Sequence, residues 1–113
     1  MCAAAELELV LKKARAGLQG IFGIHLLDVM LYGSYARGDQ HEESDIDVFA
    51  LVDLSKEELV KYRRTVSEFS SDIDLEYDVL LSIKLQDAET FRRYGAVLPF
   101  FKNVIKEGIP VVQ

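Results

Sequence analysis

A small mixed β-sheet with helices packed mainly on one face, an α/β (α+β) arrangement, is what three features of this chain predict. Apolar residues recur at three- and four-residue intervals in two long stretches, they alternate or run together in three shorter ones, and glycine, proline and polar clusters mark the boundaries. In chain order the segments read α-β-α-β-α-β-α-α. A length of 113 residues supplies one core, so residues 1–113 are expected to form a single domain. A chain this short covers one sheet face with helices and leaves the other for chemistry.

Leu7, Val10, Leu11, Ala14 and Leu18 line one face of a helix from Glu6 to Leu18, with Gly20 and Gly23 behind it. The apolar run IHLLDVMLYG ends in Gly33 and reads as a buried strand, although its periodicity alone also admits a helix. In DIDVFALVD, Ile46, Val48, Ala50 and Val52 take one side of a strand, and Asp45, Asp47, Phe49 and Leu51 take the other. LSKEELVKYRRTVSEFSS opens with a Ser55-x-x-Glu58 capping box and carries Leu59, Tyr62, Val66, Phe69 and then Ile73 near helical period. LEYDVLLSIKL alternates as a third strand, with Tyr77, Val79, Leu81 and Ile83 opposite Glu76, Asp78, Leu80 and Ser82. Asp87 is placed to cap a short helix through Tyr94, and LPFFKNVIKEGIP forms a last helix stopped by Gly108 and Pro110.

Charge narrows the function classes. A net charge of -6 opposes the phosphate neutralisation that drives nucleic-acid binding, so no direct nucleic-acid partner is expected. The N-terminal MCAAAELELVLKKARAG lacks the basic start and unbroken apolar core of a signal peptide, and no run reaches membrane-spanning length. Cys2 has no second cysteine with which to form a disulfide or a zinc site and reads as a bystander. The expected location is the cytoplasm.

The chemistry concentrates between Gly33 and Asp47. On an extended strand Asp45 and Asp47 point the same way with Cα atoms roughly 6.5–7 Å apart, and they repel unless a cation lies between them. Oxygen-only donors favour Mg²⁺, with Mn²⁺ as a substitute, and Mg²⁺ completes its shell with waters and substrate phosphates. Gly33 and Ser34 offer a phosphate cradle: glycine admits a ligand close to the backbone, serine donates a hydrogen bond, and a helical turn through YARG aims amides at an anion. Arg37 is either a phosphate contact or an ion-pair partner of Asp39 or of an acid in the following loop. A third carboxylate is expected on the neighbouring strand, with Asp78 the first choice and Glu76 the second. Asp72 and Asp74 read as turn and solvated residues.

The run GSYARGDQHEESDID, a Gly-Ser pair, ten residues and then Asp-x-Asp, resembles the signature of the nucleotidyltransferase superfamily of DNA polymerase beta. More closely it resembles the minimal nucleotidyltransferases (MNT proteins), small antitoxins encoded beside a helical HEPN partner; the likeness covers roughly Leu26 to Leu81. The resemblance implies the nucleotidyltransferase fold and a two-metal transfer of a nucleotidyl group from ATP or another NTP to an acceptor hydroxyl. Asp45 and Asp47 would bind both Mg²⁺ ions, Asp78 would be the third ligand and proton acceptor, and Gly33 and Ser34 would hold the β- and γ-phosphates. The expected enzyme is an adenylyltransferase acting on a HEPN toxin within a toxin–antitoxin pair. Lacking the acceptor-binding regions of larger relatives, it would take acceptor recognition from that partner or from a second copy of itself.

Two rival functions remain open at this level: a neutralising module that works by contact alone, and a small-molecule nucleotidyltransferase acting as a homodimer. His41, alone in a polar loop, reads as solvated. Tyr32, Tyr35 and Tyr77 read as packing residues, with base stacking as the alternative for Tyr35. The apolar end, Phe100 to Val112, reads as core first and as a protein-binding patch second.

Overall fold

In the computed structural model, residues 4–41 and 43–112 are described; Cys2 lies outside them. A helix, α1 (Ala4–Phe22), buries Val10, Ala14, Leu18 and Phe22, the stripe its spacing predicts, and continues one turn past the predicted end. Gly17 explains how closely it packs. A Cβ there would fall inside the ring of Phe69, so only glycine lets that ring approach the α1 backbone.

Strand β1 (Leu26–Tyr32) leads through Gly33 into one helical turn, α2 (Ser34–Arg37), and β2 (Ile46–Val52) follows the polar loop. The expected middle helix is two helices, α3 (Lys56–Val60) and α4 (Arg63–Tyr77). Ser55 and Glu58 form the predicted capping box on α3. The chain bends at Tyr62, whose ring rests 4.9 Å from that of Phe22. After β3 (Leu81–Asp87), Asp87 caps α5 (Ala88–Tyr94) by accepting from the Thr90 amide. The last helix is α6 (Pro99–Glu107).

The sheet order is β3-β2-β1-β4, with β1 antiparallel to β2 and β2 parallel to β3. Strand β4 (Ile109–Pro110) escaped the sequence reading: Gly108 ends α6, and the next two residues pair antiparallel with Met30 and Leu31. Pro110 is tolerated there because an edge strand can spare a donor. Ile46, Val48, Ala50 and Val52 join Val29 and Leu31 under α1 and α4 in the main core. On the opposite face Phe49 is fully buried against Phe101, Val104 and Phe91 of α5 and α6, so that face is covered around Phe49, while Asp45 beyond it is exposed.

The start of β3 differs from expectation. Glu76 and Tyr77 belong to α4, and Asp78 is its C-cap in the left-handed region (φ 54°, ψ 52°), its amide returning to the Asp74 carbonyl. The alternation that suggested a strand over Leu75–Leu85 is the overlap of two patterns. Tyr77 extends the helical stripe of Val66, Ser70 and Ile73, and aspartate is among the few residues that end a helix in a left-handed turn. Asp74 is not a solvated turn residue: its Oδ1 accepts the Leu81 amide at 2.7 Å, while the buried Ser70 hydroxyl donates to the Leu81 carbonyl at 2.7 Å. Ser70→Ala is expected to destabilise the fold by about 1–3 kcal/mol, because it leaves a buried carbonyl without its donor. Urea unfolding of the variant against wild type measures it; no change in midpoint would refute the bracket.

Candidate functional site

The site begins where β1 and β2 pair. Tyr32 on β1 stands opposite Asp47 on β2, and Ser82 on β3 stands beside Asp47 on its other side. Asp45 immediately precedes β2 and is exposed; Asp47 is half-buried. Because Ile46 and Val48 are driven into the core, strand alternation turns Asp45 and Asp47 together to the other side. Asp47 therefore binds its proton more tightly than an ordinary aspartate: burial is the largest cause, the Asp45 charge adds to it, and Arg37 opposes it. Burial and Asp47 together push the Tyr32 hydroxyl up to about 12.

Gly33 has the closest fit. Its φ of 75° and ψ of -154° are accessible in practice only to glycine. A Cβ at this position would also collide with Asp47 Oδ2 and stand 3.2 Å from its Cγ. The turn that starts α2 is thus pressed against the carboxylate. The Gly33 carbonyl accepts the amides of Ala36 and Arg37, and the half-buried Ser34 follows at the first helical position. Arg37 is exposed and pairs with Asp39 at 3.1 Å and Glu107 of α6 at 3.2 Å, so its charge is held next to the carboxylates by two acids. His41 is tied into its loop: its amide donates to Ser44 Oγ and its Nδ1 accepts the Glu43 amide.

The structure thus brings Gly33, Ser34, Arg37, Asp45 and Asp47 to one place. Asp78 stays at the helix end before β3, and Glu76 pairs instead with Lys13 at 3.2 Å. Among the described residues no group of three or more His, Cys, Asp or Glu side chains is arranged to hold a metal. The β3 position in register with Asp47 carries Ser82. Two side chains were missed in the sequence: Lys84, in register with Phe49 and 5.5 Å from the Phe100 ring, and Arg63 of α4. Both line a cleft of about 660 Å³ that also touches Tyr32 and Ser82. The β2–β3 register would have revealed Lys84, but the misplaced start of β3 concealed it.

The nucleotidyltransferase domain family matches residues 11–112. This chain belongs to that family. Among its relatives, the candidate protein adenylyltransferase MJ0141 of Methanocaldococcus jannaschii is 37% identical over 73 residues, which span 65% of this chain and 72% of the relative. A crystal structure of a mutant toxin–antitoxin pair, MntA–HpeT, superposes with a TM-score of 0.58 at 19% identity, covering 90% of this chain and 72% of the other. A toxin–antitoxin structure with AMP-PNP gives 0.56 at 20% identity over 90% and 72%. A candidate minimal nucleotidyltransferase gives 0.55 at 22% identity over 92% and 94%. At these identities the structural matches establish the nucleotidyltransferase fold, and the family match makes the chain a nucleotidyltransferase.

Two outcomes test the geometry of this candidate site. Gly33→Ala is expected to cost roughly 1–3 kcal/mol through backbone strain alone, and to displace the Asp47 carboxylate as well. Chemical denaturation measures the first, and a change in the Asp47 carboxyl NMR shift reports the second; a variant with wild-type stability would contradict the fit. The raised affinity of Asp47 for its proton has a definite sign. The native state keeps that proton to higher pH than the unfolded chain, so the stability Asp47 contributes is lost as pH climbs from the ordinary aspartate value through the raised native one. Melting temperatures across that interval are expected to fall more steeply for wild type than for Asp47→Asn, and parallel curves would refute it.

Proposed function

We propose that this nucleotidyltransferase is a divalent-cation-dependent adenylyltransferase that moves AMP from ATP to a hydroxyl of a partner protein, as the antitoxin of a HEPN-type toxin–antitoxin pair. The observation that carries the proposal is the contact of the Gly33 turn with Asp47: the phosphate cradle and the carboxylate pair are one structural unit. ATP and a protein acceptor are supported by what the relatives and neighbours are named for: a candidate protein adenylyltransferase, the toxin–antitoxin pair MntA–HpeT, and a toxin–antitoxin structure with AMP-PNP. The proposal takes residues 1–113 as one minimal domain working in the cytoplasm; no described helix is long and apolar enough to cross a membrane.

Asp45 and Asp47 are the proposed cation ligands. Their donor set of oxygens alone and their surplus negative charge suit Mg²⁺ or Mn²⁺, which when bound would neutralise charge building up on the phosphates. The third ligand expected from Asp78 needs a position that the helix end does not give it, so the proposal rests on the pair. Gly33 and Ser34 would hold the β- and γ-phosphates, and Arg37 would exchange one of its exposed carboxylate partners for a phosphate oxygen. In the transfer the acceptor oxygen bonds to the α-phosphorus as the bond from that phosphorus to the β-bridging oxygen breaks. Pyrophosphate leaves, and the acceptor proton passes to water.

Incubation with Mg²⁺, ATP and the product of the adjacent reading frame, followed by intact mass measurement, is expected to show added adenylate on that product. Asp45→Asn with Asp47→Asn is expected to reduce the rate at least about a hundredfold while leaving the fold intact. Neutralisation of the toxin by the double variant at wild-type strength would overturn the catalytic role.

A further inference from the structure

Strand β3 ends the sheet. The free edge of such a strand is a row of hydrogen-bonding groups that a protein either covers or uses. In a parallel pair, alternate residues turn their N–H and C=O toward the partner strand, and the residues between turn theirs away. The Ile46 amide donates to the Leu80 carbonyl, which places Leu80, Ser82 and Lys84 toward β2 and Leu81, Ile83 and Leu85 outward. At Leu81 both outward groups are taken by Asp74 and Ser70 of α4. Beyond it α4 no longer brackets the strand, and Ile83 and Leu85 border the cleft of about 660 Å³.

The chemistry of that cleft is unlike the rest of the surface. Across it from the strand stand Arg63, Ser67 and Ser71 of α4, with Lys84 on the strand itself. Among the described residues no carboxylate lies within ion-pair distance of Arg63 or Lys84, in a chain with 19 acids against 13 Lys and Arg. Two cations therefore flank an open strand edge on a protein of net charge -6, and the carboxylate that shares the cleft, Asp74, is engaged by the Leu81 amide. Its position matters as well. The cleft reaches Tyr32 and Ser82, the two residues in register with Asp47, and it lies on the β3 side of the carboxylates, whereas the Gly33 turn lies on the β1 side. In an in-line displacement the acceptor arrives opposite the leaving group.

We infer that the β3 edge receives an extended acidic segment of the protein acceptor as an added strand, its backbone paired with Ile83 and Leu85 and its carboxylates at Arg63 and Lys84. The inference rests on the proposed protein-directed transfer and names the class of acceptor. Backbone pairing supplies affinity in such strand addition and the flanking charges supply selectivity. A single-stranded nucleic acid would meet the cations but has no backbone ladder to match the edge.

The full chain, in magnesium buffer without nucleotide, is titrated with a fluorescein-labelled Glu-Thr repeat peptide, and with the same peptide N-methylated at every amide, so that neither edge can pair. The unmodified peptide is expected to bind, and methylation to weaken it at least about tenfold. Lys84→Gln with Arg63→Gln, which retain bulk, are expected to weaken it by a similar factor, while a labelled ATP analogue binds wild type and variant alike. Equal binding of the two peptides, or indifference to the two substitutions, would overturn the inference. So would tighter binding of a labelled single-stranded oligonucleotide through the same two cations. Peptide binding without any adenylyl transfer would refute the proposed function and leave the strand edge standing; transfer to the partner at full rate by the double Gln variant would refute the strand edge alone.

Discussion

Asp45 and Asp47 are two like charges held on the same side of one strand, and the rest of the molecule is arranged around keeping them there. Ile46 and Val48, almost wholly inaccessible to solvent, alternate with them. A slip of the strand by one residue would bring those two side chains out and drive both carboxylates into an apolar core, at a cost of several kcal/mol for each charge so buried. The main core under α1 and α4 thus sets the direction of the site as well as the stability of the fold. The repulsion of the two carboxylates shows in the tighter hold of Asp47 on its proton, and the Arg37 charge opposes it.

The second support is the bracket between α4 and β3. Ser70 and Asp74 lie one helical turn apart, on the same face of α4, and take the carbonyl and amide of one residue, Leu81. A parallel strand pair has no tight turn to set its register, and here that pair of hydrogen bonds does so. The result places a hydroxyl, Ser82, beside Asp47. A shift of one residue would have put Leu81 or Ile83 there instead. The negative charge available for a cation is accordingly concentrated at the start of β2, where the two carboxylates flank Ile46 and are oriented by one core.

The mixed sheet, its helices and the Gly33–Asp47 unit were legible because each rests on local patterns. Period-two alternation identified β2, the capping box located the start of α3, and a glycine before a serine marked the helical turn that abuts Asp47. What stayed hidden depended on contacts between distant segments. Asp78 sat in an alternating stretch that fitted strand and helix equally until Asp74 and Ser70 claimed Leu81, a bond across 7 residues in one case and 11 in the other. Strand β4 is only two residues long and exists because β1 offers it an edge. The bend at Tyr62 has its anchor in Phe22, forty residues away in sequence. None of these leaves a periodicity to detect.

The aromatic residues of the second face tie the end of the chain to the site. Phe49 meets Phe91, Phe100 and Phe101, and Tyr32, the neighbour of Asp47, meets both Phe49 and Phe100 edge-on. Helix α6 is anchored through these rings, and its last residue, Glu107, reaches Arg37. That ion pair is exposed and screened by solvent and salt, so it orients Arg37 without binding it firmly. A phosphate carries more charge than a carboxylate and offers the same fork geometry to the guanidinium. The acids around Arg37 therefore leave the proposed phosphate contact open to it. They keep a positive charge beside the carboxylates, in a protein of net charge -6.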